Sequence, residues 1–378
     1  MSILADWLMR RAPAWLDPST SSGRPVPLAQ RRALAALVRC RTPALGGHVY
    51  RCGACAETDF AYHSCHHRAC PRCGGAGAAA WTARQVARLL PVPYFFVTCT
   101  VPEELRPVFA ARPEVLHELF FTAAARALQT VAALPRHLGA ELGLIGVLHT
   151  WGRQLQHHPH LHFIVPGGGL APDGTWRAAK RSDWLLPGDA VAAALRRGLD
   201  EALRHAAPDL HAQVPARCWR EGWWVHWQPA GSGENVVQYL ARYVRRTAIS
   251  DERIVAAGDA HVTFRYTATA TQEKKECTLD APEFLRRYLQ HVPPPGQHRV
   301  RYFGWLHPSA QRRRLKVETL LAVVIVVKAK AAAPPPWHLR CPHCGVFALV
   351  PTGRLARSTG SGQARAPPPG GARQEFRR

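Results

Sequence analysis

Three histidines at alternate positions, His158, His160 and His162 in the string HPHLHFIV, and two tyrosines four apart, Tyr239 and Tyr243 in YLARY, are the residues of this chain best suited to chemistry. Alternate residues of a strand share a face, so the three imidazoles point one way while Leu161, Phe163 and Val165 point into a core. Imidazoles at i and i+2 can close on one cation, and His149 on the preceding strand could join them across an antiparallel hairpin. His157 faces the other way. The same cluster could instead hold a structural zinc, or sit solvated on an edge strand.

On a helix, residues i and i+4 are neighbours about 6 Å apart, so Tyr239 and Tyr243 would present two phenols on one face beside Arg242 and Arg246. A free phenol, with a pKa near ~10, is a poor nucleophile at neutral pH. Adjacent guanidinium groups favour the phenolate, and a cation that polarises a scissile phosphate lowers the demand on the nucleophile. Alone, the pair would be read as aromatic packing. Beside a metal-binding strand it suggests an enzyme that cuts one DNA strand and stays attached to it.

Eleven cysteines, mostly in close pairs, suit metal sites in a reducing compartment better than a disulfide framework. Cys52-x2-Cys55 and Cys70-x2-Cys73 fit one tetrahedral four-thiolate zinc site. Cys40, His48, Cys65, His66 and His67 lie nearby, so an exchanged ligand (Cys65 or Cys40) or a second ion is open. Cys341-Pro342-His343-Cys344 supplies two thiolates only, either half of a site completed elsewhere or a vestige. Cys99, Cys218 and Cys277 stand alone.

The elements needed to position these groups follow from periodicity. Residues 1–38 have helical pattern, 40–73 are Cys/His-rich, and Trp81 to Leu90 is a predicted helix. Tyr94 to Val101, Gly143 to Trp151 and His158 to Val165 are predicted strands, with a long helix ending near Ala133 between the first two. Helix is predicted again over Asp189 to His205 and Asn235 to Arg246, with a tryptophan-rich strand, Trp219 to Trp227, between them. Val262 to Thr267 is a strand and Pro282 to Leu289 a short helix. The expected divisions are 1–85 (helical and zinc-binding), 86–315 (catalytic), 316–350 (a segment with the lone Cys-x2-Cys) and 351–378 (a disordered basic tail).

Lysine and arginine total 49 against 26 acidic residues, a net charge of +23 and a pI near 10.4. That balance favours a polyanionic partner, although arginine-rich coding bias gives the same sign. Candidate phosphate contacts are Arg68, Arg72, Arg242, Arg245 and Arg246, with Trp219, Trp223, Trp224 and Trp227 as a stacking platform for single strands. The longest apolar run, Leu320 to Val327, is far short of the ~20 residues that span a bilayer. Asp6, Arg10 and Arg11 interrupt the N-terminal apolar pattern, against a signal peptide. A soluble cytoplasmic, nucleoid-associated protein is expected.

The strings HTWGRQLQHHPHLHFIVPGGG and ENVVQYLARYVRRTAIS resemble the HUH and two-tyrosine motifs of rolling-circle insertion-sequence transposases. VTFRY, EFLRRYLQHV and GQHRVRYFG extend the likeness to roughly residues 30–345. YHSCHHRACPRC is similar to the zinc-binding region that precedes the HUH domain in these enzymes, except that Ala69 stands where a His is usual and Gly74 where a Gln is usual. The resemblance implies an α+β fold, an HUH-type antiparallel sheet flanked by helices and preceded by a small four-cysteine zinc-binding domain. It implies His160 and His162, with His149 or His158 as a further ligand, binding Mg²⁺ or Mn²⁺, and structural Zn²⁺ on the cysteines. It further implies that Tyr239 and Tyr243 attack single-stranded DNA at element ends, leaving 5′-phosphotyrosine and a free 3′-hydroxyl. A plasmid replication initiator or relaxase would share this chemistry. A zinc-dependent DNA-binding regulator without catalysis, or a metal phosphodiesterase using water, would not form the covalent link.

Overall fold

The computed structural model describes residues 3–16, 26–244, 248–268, 271–321 and 339–358, without the side chains of 74–76 and 242–244. Helices α1 (Ile3–Leu16) and α2 (Leu28–Arg39) lead to a hairpin of β1 (Gly47–Cys52) and β2 (Thr58–Tyr62), then to α3 (Gly74–Val86). Strand β3 (Tyr94–Thr100) precedes α4 (Arg106–Ala111), α5 (Pro113–Ala133), β4 (Gly143–Trp151) and β5 (His157–Pro166). A small hairpin, β6 (Gly168–Leu170) and β7 (Trp176–Ala178), is followed by α6 (Gly188–Ala206), α7 (Pro208–His211), β8 (Trp224–Pro229) and α8 (Glu234–Val244). The remainder comprises β9 (Ile254–Ala257), β10 (His261–Thr267), β11 (Lys274–Asp280), α9 (Ala281–Leu289), β12 (Val300–Gly304), α10 (Gln311–Leu320), β13 (Leu339–Arg340) and β14 (Phe347–Leu355).

The centre is a five-stranded antiparallel sheet in the order β12-β4-β5-β3-β8. Its strands alternate as pleating demands. Phe95, Val97, Cys99, Leu144, Leu148, Leu161, Phe163 and Val165 face one side and bury against Phe120, Phe121 and Leu128 of α5 and Leu195, Leu199 and Leu203 of α6. Gly146 lets α5 come this close, because a Cβ there would lie 2.8 Å from the Phe163 ring and 3.0 Å from that of Phe121. On the other side, Tyr94, Ile145, Val147 and Ile164 pack under Trp81 of α3 and Val237, Leu240 and Ala241 of α8. The architecture is α+β, with the histidines of β5 on the α8 side.

Two further layers flank the sheet. Strands β11-β10-β9 pack with α9, α1 and α2 through Phe264, Phe284, Trp7, Leu8 and Leu34. Helix α1 is tied there by Trp7 Nε1 donating to the Gly258 carbonyl at 2.8 Å and the Leu4 N–H donating to Asp251 Oδ1 at 2.8 Å. The N-terminal helices therefore share a core with residues beyond 248. The other layer is the sheet β13-β14-β1-β2.

Several expectations change. The tryptophan strand begins only at Trp224: Trp219 closes a 3-10 turn, and Gly222 at φ 80° breaks the extended run. Helix α3 starts earlier than its sequence pattern suggests. Strand β14 runs to Leu355 in a segment expected to be disordered, held in register by β1, while 359–378 lie outside the described residues. Strands β13 and β14 of this C-terminal segment join the sheet of β1 and β2.

Candidate active site and metal centres

The β4–β5 hairpin sets His149 opposite His160 and Val147 opposite His162. Ring centroids are 5.0 Å apart for His149 and His160, 4.4 Å for His149 and His162, and 4.8 Å for His160 and His162. One ring nitrogen from each lies within 4.8 Å of the other two. His158 does not join them. Its carbonyl accepts a hydrogen bond from His160 Nδ1 at 2.7 Å. A carbonyl can only accept, so Nδ1 carries the proton and Nε2 of His160 is left as a lone pair. His162 Nδ1 meets the Thr98 hydroxyl at 2.9 Å, an arrangement that with Thr98 accepting leaves its Nε2 in the same state. His157 stacks on His291 at 6.3 Å instead.

Burial holds all three imidazoles below the ordinary histidine range, His160 to about 4, and the mutual proximity of the rings pushes His149 and His162 further down. They are neutral near pH 7, as ligands must be. Three converging neutral nitrogens fit a divalent cation and suit Mn²⁺ better than Mg²⁺, which prefers oxygen donors.

Helix α8 crosses this face of the sheet with Val237, Leu240 and Ala241 inward, which sets Tyr239 on its flank, 41% exposed. Phe96 of β3 lies between tyrosine and metal site: its ring stacks on His162 at 4.6 Å and meets Tyr239 edge-on at 5.8 Å. Tyr243 is one turn further along α8. Its side chain and that of Arg242 lie outside the described residues, as do Arg245 and Arg246 entirely. Neither Phe96 nor Thr98 was singled out in the sequence. Their alternation within YFFVTCTV, two strand positions apart, is the signal that marks them once β3 is paired with β5.

The four tryptophans divide by the same alternation. Trp219, Trp223 and Trp227 pack on the α5–α6 core, whereas Trp224 is 60% exposed and stacks on His226 at 5.1 Å. Trp224 pairs with Thr100, which pairs with His160, so an open indole shares the histidine face two strands away. A cavity of about 530 Å³ opens beside Thr100 and His158, but its guanidinium groups are matched, Arg106 to Glu103 at 2.7 Å and Arg217 to Glu104 at 2.9 Å. Arg72, among the expected DNA contacts, is largely buried, paired with Asp6, and donates to the Cys40 carbonyl at 3.1 Å. Arg68 is exposed and donates to the Gln297 carbonyl.

The cysteines form two clusters rather than the single Cys52/Cys55/Cys70/Cys73 site expected. Cys40, Cys65, Cys70 and Cys73 make one, and Cys52, Cys55, Cys341 and Cys344 the other. The β1–β2 hairpin is the cause. Cys52 and Cys55 sit at its tip, while Cys40 precedes it and Cys65 follows it, at its base, where the Arg41 N–H donates to the His63 carbonyl at 3.1 Å. Five or six extended residues separate tip from base by about 17 Å, too far for one ion. In the first cluster Cys40 and Cys73 sulfurs are 3.4 Å apart, and Cys65 and Cys73 3.6 Å. Hydrogen bonds from Cys65 and Cys70 bring the Cys40 thiol down to about 7 and those from Cys40 and Cys65 bring Cys73 lower still, while the same contacts push Cys65 and Cys70 up, as expected of four thiols close enough to share protons. Ala69, in place of the usual His, is no gap: four sulfurs already close the cluster, and the Ala69 carbonyl accepts from the Tyr288 hydroxyl at 2.6 Å.

Known proteins resemble this chain over both regions. A family described as "Putative transposase" matches residues 143–314, the span holding the histidines and α8, and one described as "Transposase zinc-binding domain" matches residues 14–101. A protein of Sinorhizobium fredii (strain NBRC 101917 / NGR234), "Putative transposase y4qJ", is 37% identical over 356 residues, covering 89% of this chain and 88% of its own. "Transposase for insertion sequence element IS801" of Pseudomonas savastanoi pv. phaseolicola is 31% identical over 289 residues, covering 71% of this chain and 68% of its own. No solved structure matches. Among the described residues no helix is long and apolar enough to cross a membrane. This chain therefore belongs to the insertion-sequence transposases of the IS91 type, DNA-acting enzymes that carry an N-terminal transposase zinc-binding domain.

Proposed function

We propose that this transposase moves its element by a rolling-circle route in the cytoplasm, nicking and rejoining single-stranded DNA through 5′-phosphotyrosine on Tyr239 and Tyr243. One observation carries the proposal: three neutral imidazoles converge on the sheet face that α8 covers, and one aromatic ring, Phe96, touches both His162 and Tyr239. His149, His160 and His162 would hold a divalent cation, Mn²⁺ or Mg²⁺, which when bound polarises the scissile phosphate and neutralises charge developing on it. The phenolic oxygen of a tyrosine loses its proton and attacks phosphorus. The bond from phosphorus to the 3′ oxygen breaks, and that oxygen takes up a proton to become the 3′-hydroxyl. Rejoining reverses the exchange and needs no nucleotide cofactor, since the phosphotyrosine bond replaces the one broken. A second tyrosine one helical turn away permits a second transfer while the first end is held.

The remaining residues position the substrate. Half-buried Thr98 and the His158 carbonyl orient the imidazoles, and Phe96 excludes water between nucleophile and ligands. Trp224, open on the same face, is placed to stack an unpaired base. The test incubates the whole protein with single-stranded oligonucleotides from its element ends and Mn²⁺, then separates products on a denaturing gel. A protein–DNA adduct is expected, absent from the Tyr239→Phe/Tyr243→Phe variant. Cleavage without adduct would assign a water nucleophile, and binding without cleavage a regulator.

A further inference from the structure

Two Cys-x2-Cys turns of this molecule are built alike although they lie at opposite ends of the chain. In Cys52–Glu57 the Cys52 N–H donates to the Glu57 carbonyl at 2.9 Å and the Ala56 N–H to the Cys52 carbonyl at 2.9 Å. In Cys341–Val346 the Cys341 N–H donates to the Val346 carbonyl at 2.8 Å and the Gly345 N–H to the Cys341 carbonyl at 2.9 Å. The fifth residue of each is left-handed, Ala56 at φ 62° and Gly345 at φ 76°. Glycine takes that conformation freely; alanine does so at a cost of about 1 kcal/mol, so something must hold the first turn in the form of the second. The N–H groups of Ala54 and Cys55 point at Cys52 Sγ, at 3.4 and 3.5 Å, the donors that stabilise a thiolate.

The two turns face one another. Cys52 Sγ lies 3.7 Å from Cys344 Sγ, and Cys55 Sγ 3.7 Å from Cys341 Sγ. Four sulfurs around zinc at ~2.3 Å would have edges of about 3.8 Å, whereas a sulfur–sulfur bond needs about 2.05 Å. The surrounding core is small: among the described residues Cys52, Cys341 and Leu349 are buried in it, with Tyr50, Leu339 and Ala348 half-buried against them. So little apolar burial cannot by itself fix a two-strand ribbon that returns from the far end of the chain. Strand β14 nevertheless pairs along the whole of β1.

We propose that Cys52, Cys55, Cys341 and Cys344 bind a second zinc ion, separate from the one at Cys40, Cys65, Cys70 and Cys73, and that this ion clasps the C-terminal ribbon β13–β14 onto β1–β2. The zinc-binding family matched covers residues 14–101 and the transposase family 143–314, so Cys341 and Cys344 lie outside both. The N-terminal zinc-binding layer of this chain is thus completed only by a segment some 290 residues downstream.

Zinc content of the purified full chain, by elemental analysis and native mass spectrometry, is the test. Two ions per chain are expected, and Cys341→Ser/Cys344→Ser should carry one. In the wild type, Cys52, Cys55, Cys341 and Cys344 should resist alkylation while zinc is bound and become reactive as one set when a chelator removes it; this arm needs no variant to fold. One ion in the wild type, an unchanged count in the double variant, a disulfide among the four, or Cys341 and Cys344 reacting equally before and after chelation would each overturn the clasp.

Discussion

The histidine centre and the Cys52 cluster both gather metal-binding side chains, yet they are assembled across very different lengths of chain. His149, His160 and His162 come from one hairpin inside the best-buried sheet of the protein. Cys52 and Cys344 are 292 residues apart and meet, among the described residues, over a small core centred on Leu349. The histidines are held in place whether or not an ion is present, because the sheet already fixes them. The cysteine clasp has little else to hold it, so its ion is a structural element in its own right. A centre of the first kind can lose a ligand and keep its strands in place; loss of a ligand from the second should release the ribbon β13–β14 from β1.

That contrast can be broken most sharply by His160→Ala. Losing one of three ligands should remove several kcal/mol of transition-state stabilisation, about 10³-fold or more in cleavage rate, while the melting temperature stays within a few degrees. Cys70→Ser/Cys73→Ser should instead lower the melting temperature markedly, since Cys40 and Cys70 are part of the core shared by α1, α2 and α9. If His160→Ala unfolds the protein, the centre is structural and the contrast fails.

Thr98→Val sharpens the same point from one shell out. Without its partner, His162 should bind metal about 10–100-fold more weakly, read by Mn²⁺ titration, with stability little changed. Trp224→Ala should weaken single-strand binding by ~1–3 kcal/mol and leave zinc content and melting alone. Trp227→Ala, by comparison, removes an indole packed 6.2 Å from Phe95 and should show its effect in stability.

The smallest effect is in pH. Burial pushes His117 and His291 down to about 3. The unfolded chain then binds protons from about pH 6.5 downward that the folded chain does not. Stability from these groups is complete above 6.5 and declines as the pH falls through 6.5 toward 3, by roughly 1 kcal/mol per imidazole at pH 5.5. Urea midpoints at pH 7.5 and 5.5 measure it; a midpoint that rises on acidification would contradict the sign.

The parts legible in the sequence are those fixed by local periodicity. HPHLHFIV gave both the face of the histidines and the core partners of the other face, and His149 was reachable because a hairpin of this length has a determined register. The tyrosine helix was legible from its apolar spacing. What was illegible depended on pairing across long separations. Polar strands such as β11, KKECTLD, carry no apolar alternation strong enough to announce themselves. Pairing Cys52 with Cys70 followed sequence proximity, and nothing local says that a hairpin tip separates them. Strand β14 has six exposed residues of nine and forms because β1 is there to receive it.

The most direct measurement is a peptide map of the covalent adduct. After cleavage of a single-stranded substrate in Mn²⁺, protease digestion and mass spectrometry should find nucleotide attached through 5′-phosphate to the peptide that spans Tyr239 and Tyr243, and the released strand should end in a 3′-hydroxyl. Attachment to any other residue, or efficient cleavage that leaves a free 5′-phosphate with the protein unmodified at every time point, would contradict phosphotyrosine strand transfer at this site.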